Sequence, residues 1–499
     1  MSSRIKKKSY PPRLIDIHAI ADQAMINYGF IPHFPSGVIE EVKSLNESQR
    51  KRRLDPSVRD LRSLLWSSID NLESRDLDQL EVCESKTNQE IRVLVAIADV
   101  DEYVMQDSWT DRHAFHNGTS VYTGAVTYPM LPERLSTDLS SLNPNEDRSA
   151  IILDFIVGKD GRVLNGDVYR ALVRNKAKLV YESVGDWLEN KTPLPEAVAQ
   201  VNGLKEQIIL QNEAAERLRR FRMEQGSMEF DTIEASPVMA EGKVVDLIVK
   251  RKNQARYLIE NFMVAANGVM VQFLEKKGVP YIQRVVRTPE RWDRIAAIAA
   301  SLEETLPVEP DPRALSAFLS KRNRIDPDHF ADLSLVIVKL LGPGEYVLAE
   351  GPKTKLGHFG LSVRDYTHST APNRRYPDLV IQRLLKAQSS GSKNPYTVQQ
   401  LSDLAQVCTE REKAAKKVER FMRKVAGAVL LIDRIGEIFD AIVTGASAKG
   451  TYVRLLSPPV EGRVLQGEQG MDVGEKVRVR LIGMEPEKGY INFAGVGSR

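Results

Sequence analysis

The chain has 499 residues, more than one hydrophobic core usually supports, so its length predicts about two to four folded units. With 42% hydrophobic and 27% charged residues, its composition is that of a globular protein and excludes a disordered chain or one embedded in a membrane. The formal net charge of +3 does not by itself indicate a nucleic-acid partner, and two cysteines are too few for a disulfide framework or a cysteine zinc site.

Residues 1–55 are predicted to form a small helical unit. Apolar residues recur at helical spacing over residues 17–28, after which Gly29 supplies a stop and Pro32 prevents continuation. A second short helix fits residues 38–45. Two short helices with a tight turn resemble a helix-turn-helix unit, although any small helical cap would give the same pattern.

The N-terminus is basic but lacks the apolar segment of a secretory signal. The most apolar stretch, Ile259 to Leu274, is interrupted by Glu260 and Asn261, so it is interpreted as a buried helix. We therefore expect a cytoplasmic protein with no membrane partner.

A large α+β domain is predicted over residues 56–430, after a polar linker at residues 46–53. Alternating or β-branched runs predict strands in its first part, and longer stretches with few helix breakers predict helices after Glu182. The predicted strands are Leu80–Val82, Ile91–Ile97 and Ala150–Ile156, and the predicted helices are Glu206–Gln225, Tyr257–Glu275 and Ala371–Gln388.

Residues 434–497 change character to alternating apolar residues with glycine turns. Five strand candidates in about 60 residues predict a small closed barrel of the OB type, so the whole chain is expected to be a multi-domain α+β protein. Tyr452 and Arg454, with Arg478 and Arg480, place aromatic and cationic groups among these strands. That combination stacks bases and contacts phosphates, although some of these side chains must simply cover the barrel.

Three aspartates, Asp70, Asp76 and Asp78, converge just before an alternating strand pattern. In extended backbone Asp76 and Asp78 point to the same face, and Asp70 could fold back to join them. Clustered carboxylates repel one another unless a hard cation such as Mg²⁺ offsets the repulsion. With two ions, one generates the hydroxide nucleophile and the other stabilises the leaving oxygen of a phosphodiester. An acidic surface loop is the alternative.

A second candidate lies at Arg374 and Arg375, within a segment that contains Pro372 and Pro377. The prolines break helical continuity and could aim an arginine at a helix start toward a scissile phosphate. The alternative is that both arginines simply form ion pairs at the surface.

Other chemistries have little support in the sequence. The seven histidines, among them His113 and His116, form no metal-spaced set with cysteine, and no serine-elbow motif accompanies them. No glycine-rich phosphate loop is present, which argues against an ATP-driven enzyme. Basic residues bunch at residues 50–53, 217–222 and 411–424, and these clusters are either phosphate-facing stripes or solvated helix faces.

Taken in order, these motifs resemble the ribonuclease II family, whose catalytic region is the RNB domain. The resemblance covers about residues 58–430, and the last 60 residues resemble the S1-type RNA-binding OB barrel that commonly ends this family's chains. The matching segments are Val58–Leu61, the aspartate run, Val95–Val100, Ser120–Tyr122, Pro129–Pro132, Leu135–Ser136, Lys178–Tyr181, Ile259–Glu260, His358–Gly360 and Arg374–Tyr376.

The resemblance implies a processive 3′-to-5′ exoribonuclease that uses Mg²⁺, hydrolyses single-stranded RNA and releases nucleoside 5′-monophosphates in RNA degradation or processing. It also favours a monomer. Asp70, Asp76 and Asp78 match three of the family's four catalytic aspartates, and Arg374 matches its catalytic arginine. The remaining matches are to RNA-contacting positions: Tyr122 and Phe230 to the aromatic residues that clamp a stack of bases, and Tyr181, Glu260 and Glu419 to channel positions near the 3′-terminal nucleotides.

The family's fourth aspartate position is Gln79, whose amide oxygen can ligate a cation but brings no charge. This departure puts a second metal in doubt. Glu73 or Glu81 could compensate, although Glu81 is expected to be an ordinary solvent-facing strand residue. A second departure is the helical segment at the front, where family members usually carry two RNA-binding barrels, and it suggests a wider entry that tolerates duplex ends.

Two alternatives to an active exoribonuclease remain open at this point. Gln79 supports an RNA-binding or regulatory protein with the same fold and a weakened metal site. A metal-dependent phosphodiesterase acting on another polymer is the third reading, and sensitivity to the terminal 2′-hydroxyl would separate it from an RNA enzyme.

Overall fold

We analysed a computed structural model of the chain, which describes residues 15–45, 57–231, 235–240, 243–249, 252–351, 357–363, 365–447 and 450–496. The predicted linker at residues 46–53 and the first basic cluster, residues 50–53, lie outside the described residues. So does most of the basic N-terminus.

The described chain alternates helices and strands up to a long helix and ends in strands alone. The helices are α1 Ile17–Asn27, α2 Ser36–Ser44, α3 Trp109–Asn117, α4 Tyr181–Leu188, α5 Glu196–Ala199, α6 Leu204–Glu224, α7 Gln254–Lys276, α8 Trp292–Ser301, α9 Pro312–Ile325, α10 Pro327–Leu341, α11 Tyr376–Ser389 and α12 Val398–Leu430. The strands are β1 Arg59–Asp60, β2 Ser67–Asp70, β3 Gln79–Ser85, β4 Ile91–Ala98, β5 Val121–Tyr122, β6 Thr127–Tyr128, β7 Asp147–Val157, β8 Val163–Arg174, β9 Ala177–Val180, β10 Ala235–Ala240, β11 Lys243–Val249, β12 Tyr281–Val285, β13 Glu345–Ala349, β14 Ile438–Ser447, β15 Gly450–Leu455, β16 Glu461–Gln466, β17 Lys476–Glu485 and β18 Tyr490–Gly495.

The expected multi-domain α+β architecture is confirmed. Helices stand at the front, a large mixed region follows, and a closed five-stranded barrel ends the described chain. The three strands predicted in the first half of the sequence fall within β3, β4 and β7, and the five predicted at its end fall within β14 to β18.

A seven-stranded sheet forms the centre of the mixed region, with strand order β1-β8-β7-β4-β3-β2-β9. The long hairpin of β7 and β8 pairs antiparallel with β4, whose residues after Arg92 are all buried. Helix α6 packs on β3 and α7 packs on β8, so the apolar strands are covered rather than half-solvated. This sheet carries β2 and β3, the two strands that flank the aspartate run.

Helix α7 is the core helix that the sequence predicted. Among the described residues it is the one helix long and apolar enough to cross a membrane by length and composition, and 56% of its most apolar window is buried within the fold. Leu258, Phe262, Met270 and Leu274 are completely buried on it. Its contacts with α4, α6 and β8 account for that burial.

The two front helices pack on different parts of the mixed region. Helix α1 ends where Gly29 takes a φ of +81°, as its position predicted, and it packs against α12. Helix α2 packs against α3, where the Glu41 carboxylate accepts hydrogen bonds from the Thr110 N–H at 2.7 Å and the Thr110 hydroxyl at 2.8 Å. The helical unit is therefore tied to the mixed region at two points.

Helix α11 begins later than the sequence predicted, at Tyr376 rather than Ala371. Pro377 occupies the first turn of the helix and Arg375 before it is extended, so residues 371–375 form a separate turn. Buried ion pairs hold this helix in place: Lys386 pairs with Asp99 at 2.9 Å, and Arg383 pairs with Asp111 at 2.8 Å. The turn that carries Arg374 is thus fixed to the sheet side of the molecule.

The barrel has strand order β14-β15-β16-β18-β17 and is closed. Its interior is filled by apolar residues such as Val453, Leu481 and Phe493, which are fully buried. The barrel packs at the end of α12, where Gly427 comes close to Val460. A further contact joins it to α10, because the Arg454 guanidinium lies 2.6 Å from the Asp332 carboxylate.

Candidate active site

The pairing of β2 with β3 brings Asp70 and Asp78 to one place. Ser67 lies opposite Glu81 in this antiparallel pair, so the end of β2 lies close to the start of β3. Asp70 is the last residue of β2, and Asp78 immediately precedes β3. The seven residues between them form a loop that carries Asp76.

Hydrogen bonds from two other segments hold this loop. The Ser141 hydroxyl accepts from the Leu77 N–H at 3.0 Å and donates to the Arg75 carbonyl at 2.8 Å. The Lys178 ammonium donates to the Leu72 carbonyl at 3.0 Å. Because backbone groups of the loop are paired at several points, the three aspartates are held by a rigid frame rather than by a free surface loop.

Arg374 is fixed through its backbone and through its neighbour. The Arg374 carbonyl accepts from the Ser120 N–H at 2.9 Å. The Asp378 carboxylate accepts from the Ala371 N–H at 2.8 Å and from the Arg375 guanidinium at 2.7 Å, which closes the turn. Arg375 is therefore committed to an internal ion pair, whereas the side chain of Arg374 remains 47% exposed.

The two sequence motifs meet at Asp78. One carboxylate oxygen of Asp78 accepts from the Asn373 backbone N–H at 3.1 Å, and the other lies 3.4 Å from Nε of Arg374. Asp78 is only 2% exposed. The aspartate run and the arginine turn, far apart in sequence, thus form one site.

Burial changes the acidity of this site. Desolvation, opposed by Arg374 and reinforced by Asp76, raises the pKa of Asp78 from 3.8 to about 7. Desolvation also raises the pKa of Asp70, and the charge of Asp76 adds to that rise. A cation placed beside these carboxylates would remove the penalty of burying their charge.

Gln79 lies beside Asp70 and is also nearly buried. Its amide nitrogen donates to the Asp70 carboxylate at 3.3 Å, so it contacts the acidic group directly. No three carboxylate, imidazole or thiol groups in the described ranges stand close enough to hold an ion as they are. Gln79 is not counted among these groups, because its side chain is an amide.

The expectation that Glu81 faces solvent is wrong. Glu81 is 0% exposed, and the first five residues of β3 are all buried. Strand β3 is flanked by β4 and β2 and covered by α6, so it has no solvated face to which alternate residues could point. Burial, and then the charge of Asp70, raise the pKa of Glu81 well above its usual range.

A cavity of about 210 Å³ lies against the site and collects three of the predicted residues, Tyr122, Arg374 and Glu419. The Glu419 carboxylate accepts from the Tyr122 N–H at 3.1 Å, which joins β5 to α12. The Tyr122 residue is 43% exposed. An exposed aromatic ring beside a partly exposed arginine can receive a base and its phosphate.

Tyr181 lies at the end of β9, beside Asp70. It directly follows Val180, which pairs with Asp70 in the parallel register of β9 and β2. The charges of Asp70 and Glu81 both act on its hydroxyl, and the Arg256 guanidinium lies 4.3 Å from its ring centre. The structure therefore places Tyr181 next to Asp70.

Phe230 and Glu260 lie farther along the wall of the mixed region. Phe230 is partly buried and packs against the core formed by α8, α9 and α10. The Glu260 carboxylate pairs with the Lys252 ammonium at 2.8 Å and is 38% exposed. Neither residue forms a direct contact with the aspartates in the described structure.

The two predicted barrel residues have different surroundings. Tyr452 is 37% exposed on β15 and can receive a base. Arg454 is 7% exposed, and its guanidinium pairs with Asp332 of α10. In this structure Arg454 joins the barrel to α10 rather than facing solvent.

The two described basic clusters do not form uniform stripes. Within residues 217–222, Arg219 pairs with Glu229, and the Arg222 guanidinium donates to the Asn261 amide oxygen at 2.7 Å. Within residues 411–424, Lys413, Lys417 and Arg420 are exposed on α12. Exposed positive charge is thus concentrated on α12 rather than on α6.

Sequence reasoning missed three groups that shape the site. Asn373 binds Asp78 through a backbone N–H, and Ser141 and Lys178 hold the loop through its carbonyls. A hydrogen bond from a backbone N–H does not depend on residue type, so no sequence pattern could have identified the contact of Asn373. Lys178 stood within a quoted motif, but its spacing gave no sign of the carbonyl that it binds.

Comparisons with known proteins match both the mixed region and the barrel to described families. The model of the RNB domain matches residues 58–391, and that of the RNase II-type exonuclease C-terminal S1 domain matches residues 437–496. Ribonuclease R of Thermotoga maritima is 30% identical over 449 residues, which are 86% of this chain and 61% of that protein. Ribonuclease R of Escherichia coli is 29% identical over 507 residues, which are 94% of this chain and 61% of that protein.

The fold has a close structural counterpart as well. Mycoplasma genitalium RNase R in complex with ribose methylated single-stranded RNA superposes with a TM-score of 0.86 and 22% sequence identity, covering 97% of this chain and 78% of that one. The chain spans about three fifths of the length of the two curated relatives named above.

Proposed function

Because the chain belongs to the ribonuclease II family, we propose that it is a magnesium-dependent hydrolase that shortens RNA processively from the 3′ end. The products are nucleoside 5′-monophosphates, and the process served is RNA degradation or processing. The observation that carries the proposal is the meeting of Asp78 with the Asn373 N–H and the Arg374 guanidinium. This contact joins carboxylates that can bind a metal ion to an arginine that can bind phosphate oxygens.

Features of the site and the barrel support RNA as the substrate. Tyr122 is exposed beside the cavity that Arg374 and Glu419 also line, and Tyr452 is exposed on the barrel. Aromatic faces hold any base, so they permit sequence-independent movement of a strand. The RNase R of Mycoplasma genitalium has been solved with single-stranded RNA, which makes the same kind of ligand the natural proposal for this chain.

The residues present fit Mg²⁺. Asp70, Asp76, Asp78 and Gln79 offer oxygen donors, the type that this ion prefers, and the raised pKa of Asp78 shows a buried carboxylate without full compensation. Bound there, the ion would neutralise charge and lower the pKa of an attacking water. The Gln79 amide would have to turn its oxygen, in place of the nitrogen that now donates to Asp70, toward a cation.

The chain's own groups have separable tasks in this proposal. Arg374, fixed by its turn, stabilises the negative charge that develops on the scissile phosphate. Tyr122 stacks on a base near the cut, and Glu419 orients Tyr122 through its backbone N–H. Tyr181, next to Asp70, lies where a terminal ribose or base could contact its ring.

Product analysis tests this function. Uniformly labelled single-stranded RNA should be converted with Mg²⁺ to nucleoside 5′-monophosphates, and a substrate whose last ribose is 2′-deoxy should be cut more slowly. The matched control is a single-stranded DNA of the same sequence. Release of nucleoside 3′-monophosphates, or equal cleavage of the DNA, would contradict the proposal.

A regulatory RNA-binding protein is the second candidate, and one observation favours it. The Gln79 amide donates to Asp70 and so occupies a carboxylate oxygen that a cation would otherwise use. This candidate predicts RNA binding without hydrolysis. We further propose, on the basis of its family, that the chain acts as a monomer in the cytoplasm.

A further inference from the structure

Glu81 is a buried acid that the proposed reaction does not yet use. It is 0% exposed, and neither of its carboxylate oxygens has a hydrogen-bond partner among the described residues. The hydroxyl of Ser67, directly opposite in the β2 and β3 pair, lacks a partner as well. Buried polar groups in folded proteins are nearly always paired, so two such residues side by side call for an explanation.

The position of Glu81 connects it to the aspartates. Side chains alternate along a strand, so Glu81 and Gln79 project from the same face of β3. The Gln79 amide contacts the Asp70 carboxylate at 3.3 Å. The charges of Asp70 and Glu81 act on each other, and both act on the Tyr181 hydroxyl. Glu81 therefore shares its surroundings with the acidic site rather than with a separate part of the core.

No ordinary structural role accounts for this side chain. A buried carboxylate is normally retained when it pairs with a base or accepts hydrogen bonds, and Glu81 does neither in the described structure. An apolar residue would suit the neighbouring core better, since Leu80 and Val82 beside it are buried in the main apolar cluster. Buried carboxylates that lower the stability of the fold are typical of functional sites.

We propose that Glu81 supplies the fourth carboxylate of the metal site, replacing the charge that Gln79 lacks, with Asp70 and the Gln79 amide oxygen as its neighbours around one divalent cation. The inference rests on the proposed function only in taking the aspartates as a metal site. In this arrangement the negative charge that position 79 lacks comes from two residues farther along β3, on the same face of the strand.

Glu73 is the other acid near the aspartates, and it serves as the control. It lies in the loop between Asp70 and Asp76, is exposed, and takes part in another interaction. Its removal changes the net charge by the same amount as removal of Glu81. A purely electrostatic effect on cation binding would therefore be seen in both variants.

The test measures binding of Mn²⁺, as a paramagnetic substitute for Mg²⁺, to the full chain without RNA. We compare the wild type, Glu81→Gln, Glu73→Gln and the double variant Gln79→Asp with Glu81→Gln, using the electron paramagnetic resonance signal of free Mn²⁺. Glu81→Gln should weaken binding about 10-fold or more or remove one bound ion, whereas Glu73→Gln should leave binding unchanged. The double variant should restore binding, because the carboxylate returns to position 79.

Thermal unfolding of the same proteins and of Glu81→Leu separates a ligand from a structural acid. In EDTA, Glu81→Leu should unfold at a higher temperature than the wild type, because an apolar side chain replaces an unpaired buried carboxyl group. Addition of Mn²⁺ should raise the unfolding temperature of the wild type more than that of Glu81→Gln. A lower unfolding temperature of Glu81→Leu in EDTA would instead assign the residue to the structure.

Unchanged Mn²⁺ binding in Glu81→Gln, or a loss that Gln79→Asp does not restore, would overturn the inference. The proposed function fails by a different result. If the wild type binds Mn²⁺ through Glu81 but leaves RNA intact, the metal site stands and the exoribonuclease does not.

Discussion

Replacement of Asp78 by asparagine should reduce kcat for RNA hydrolysis by roughly 10³-fold or more. Asp78 is where the buried carboxylates meet the arginine turn, through the Asn373 N–H at 3.1 Å and the Arg374 guanidinium at 3.4 Å. Asparagine preserves the size of the side chain but removes the charge that a cation requires. Single-turnover hydrolysis of a 5′-labelled RNA in Mg²⁺ measures the effect directly.

The matched control is Asp403→Asn, which makes the same change on the exposed face of α12 and should leave kcat within about twofold. RNA binding by Asp78→Asn, measured by gel shift, should also be retained, because the exposed aromatic residues Tyr122 and Tyr452 and the guanidinium of Arg374 are unchanged. An Asp78→Asn variant with nearly wild-type kcat would show that the aspartate run is not the reaction centre.

The Asp78→Asn variant should also change how the free energy of unfolding depends on pH. The pKa of Asp78 is about 7 in the fold against an ordinary value of 3.8, so the folded state favours the protonated acid. The stability that this raised pKa contributes is present at low pH and is lost as pH rises through about 7. In EDTA, the free energy of unfolding of the wild type should therefore fall between about pH 4 and pH 7, and that of Asp78→Asn should fall less.

Replacement of Arg374 by lysine should lower kcat by about 10² to 10³-fold while changing KM much less. The turn of residues 371–375 holds the Arg374 backbone through the Ser120 N–H, so the guanidinium is aimed before substrate arrives. Lysine keeps the positive charge but cannot present two parallel N–H groups to phosphate oxygens. Steady-state kinetics on a short single-stranded RNA separate the two parameters.

Arg162→Lys, in the exposed turn between β7 and β8, is the matched control and should behave as the wild type. A rise in KM with unchanged kcat in Arg374→Lys would mean that Arg374 binds the RNA substrate and the transition state equally strongly. It would then not stabilise the transition state selectively.

Local patterns in the sequence predicted the elements well, because they depend on neighbours along the chain. The alternating runs predicted the five barrel strands, and a long apolar stretch with few helix breakers predicted α7. The start of α11 was misplaced by five residues, since Pro372 and Pro377 both permit a helix start and only the Asp378 contacts fix which is used.

The candidate site depended on contacts that no local pattern encodes. The expectation that Glu81 faces solvent was wrong, because the local strand pattern cannot show that α6 covers β3. Similarly, the sequence could not show that Asp332 of α10 engages Arg454. Long-range packing decides whether a charged residue meets a ligand, a partner side chain or water.

The most direct test of the account is to incubate the purified full chain with a 5′-labelled single-stranded RNA, with Mg²⁺ or with EDTA. We predict that with Mg²⁺ the full-length RNA is converted from its 3′ end to short 5′-labelled end products with few intermediates, and that it stays intact with EDTA, which would show that a site with Gln79 in place of aspartate is active. Intact RNA in Mg²⁺ that nevertheless shifts on a native gel would contradict the account and identify an RNA-binding protein.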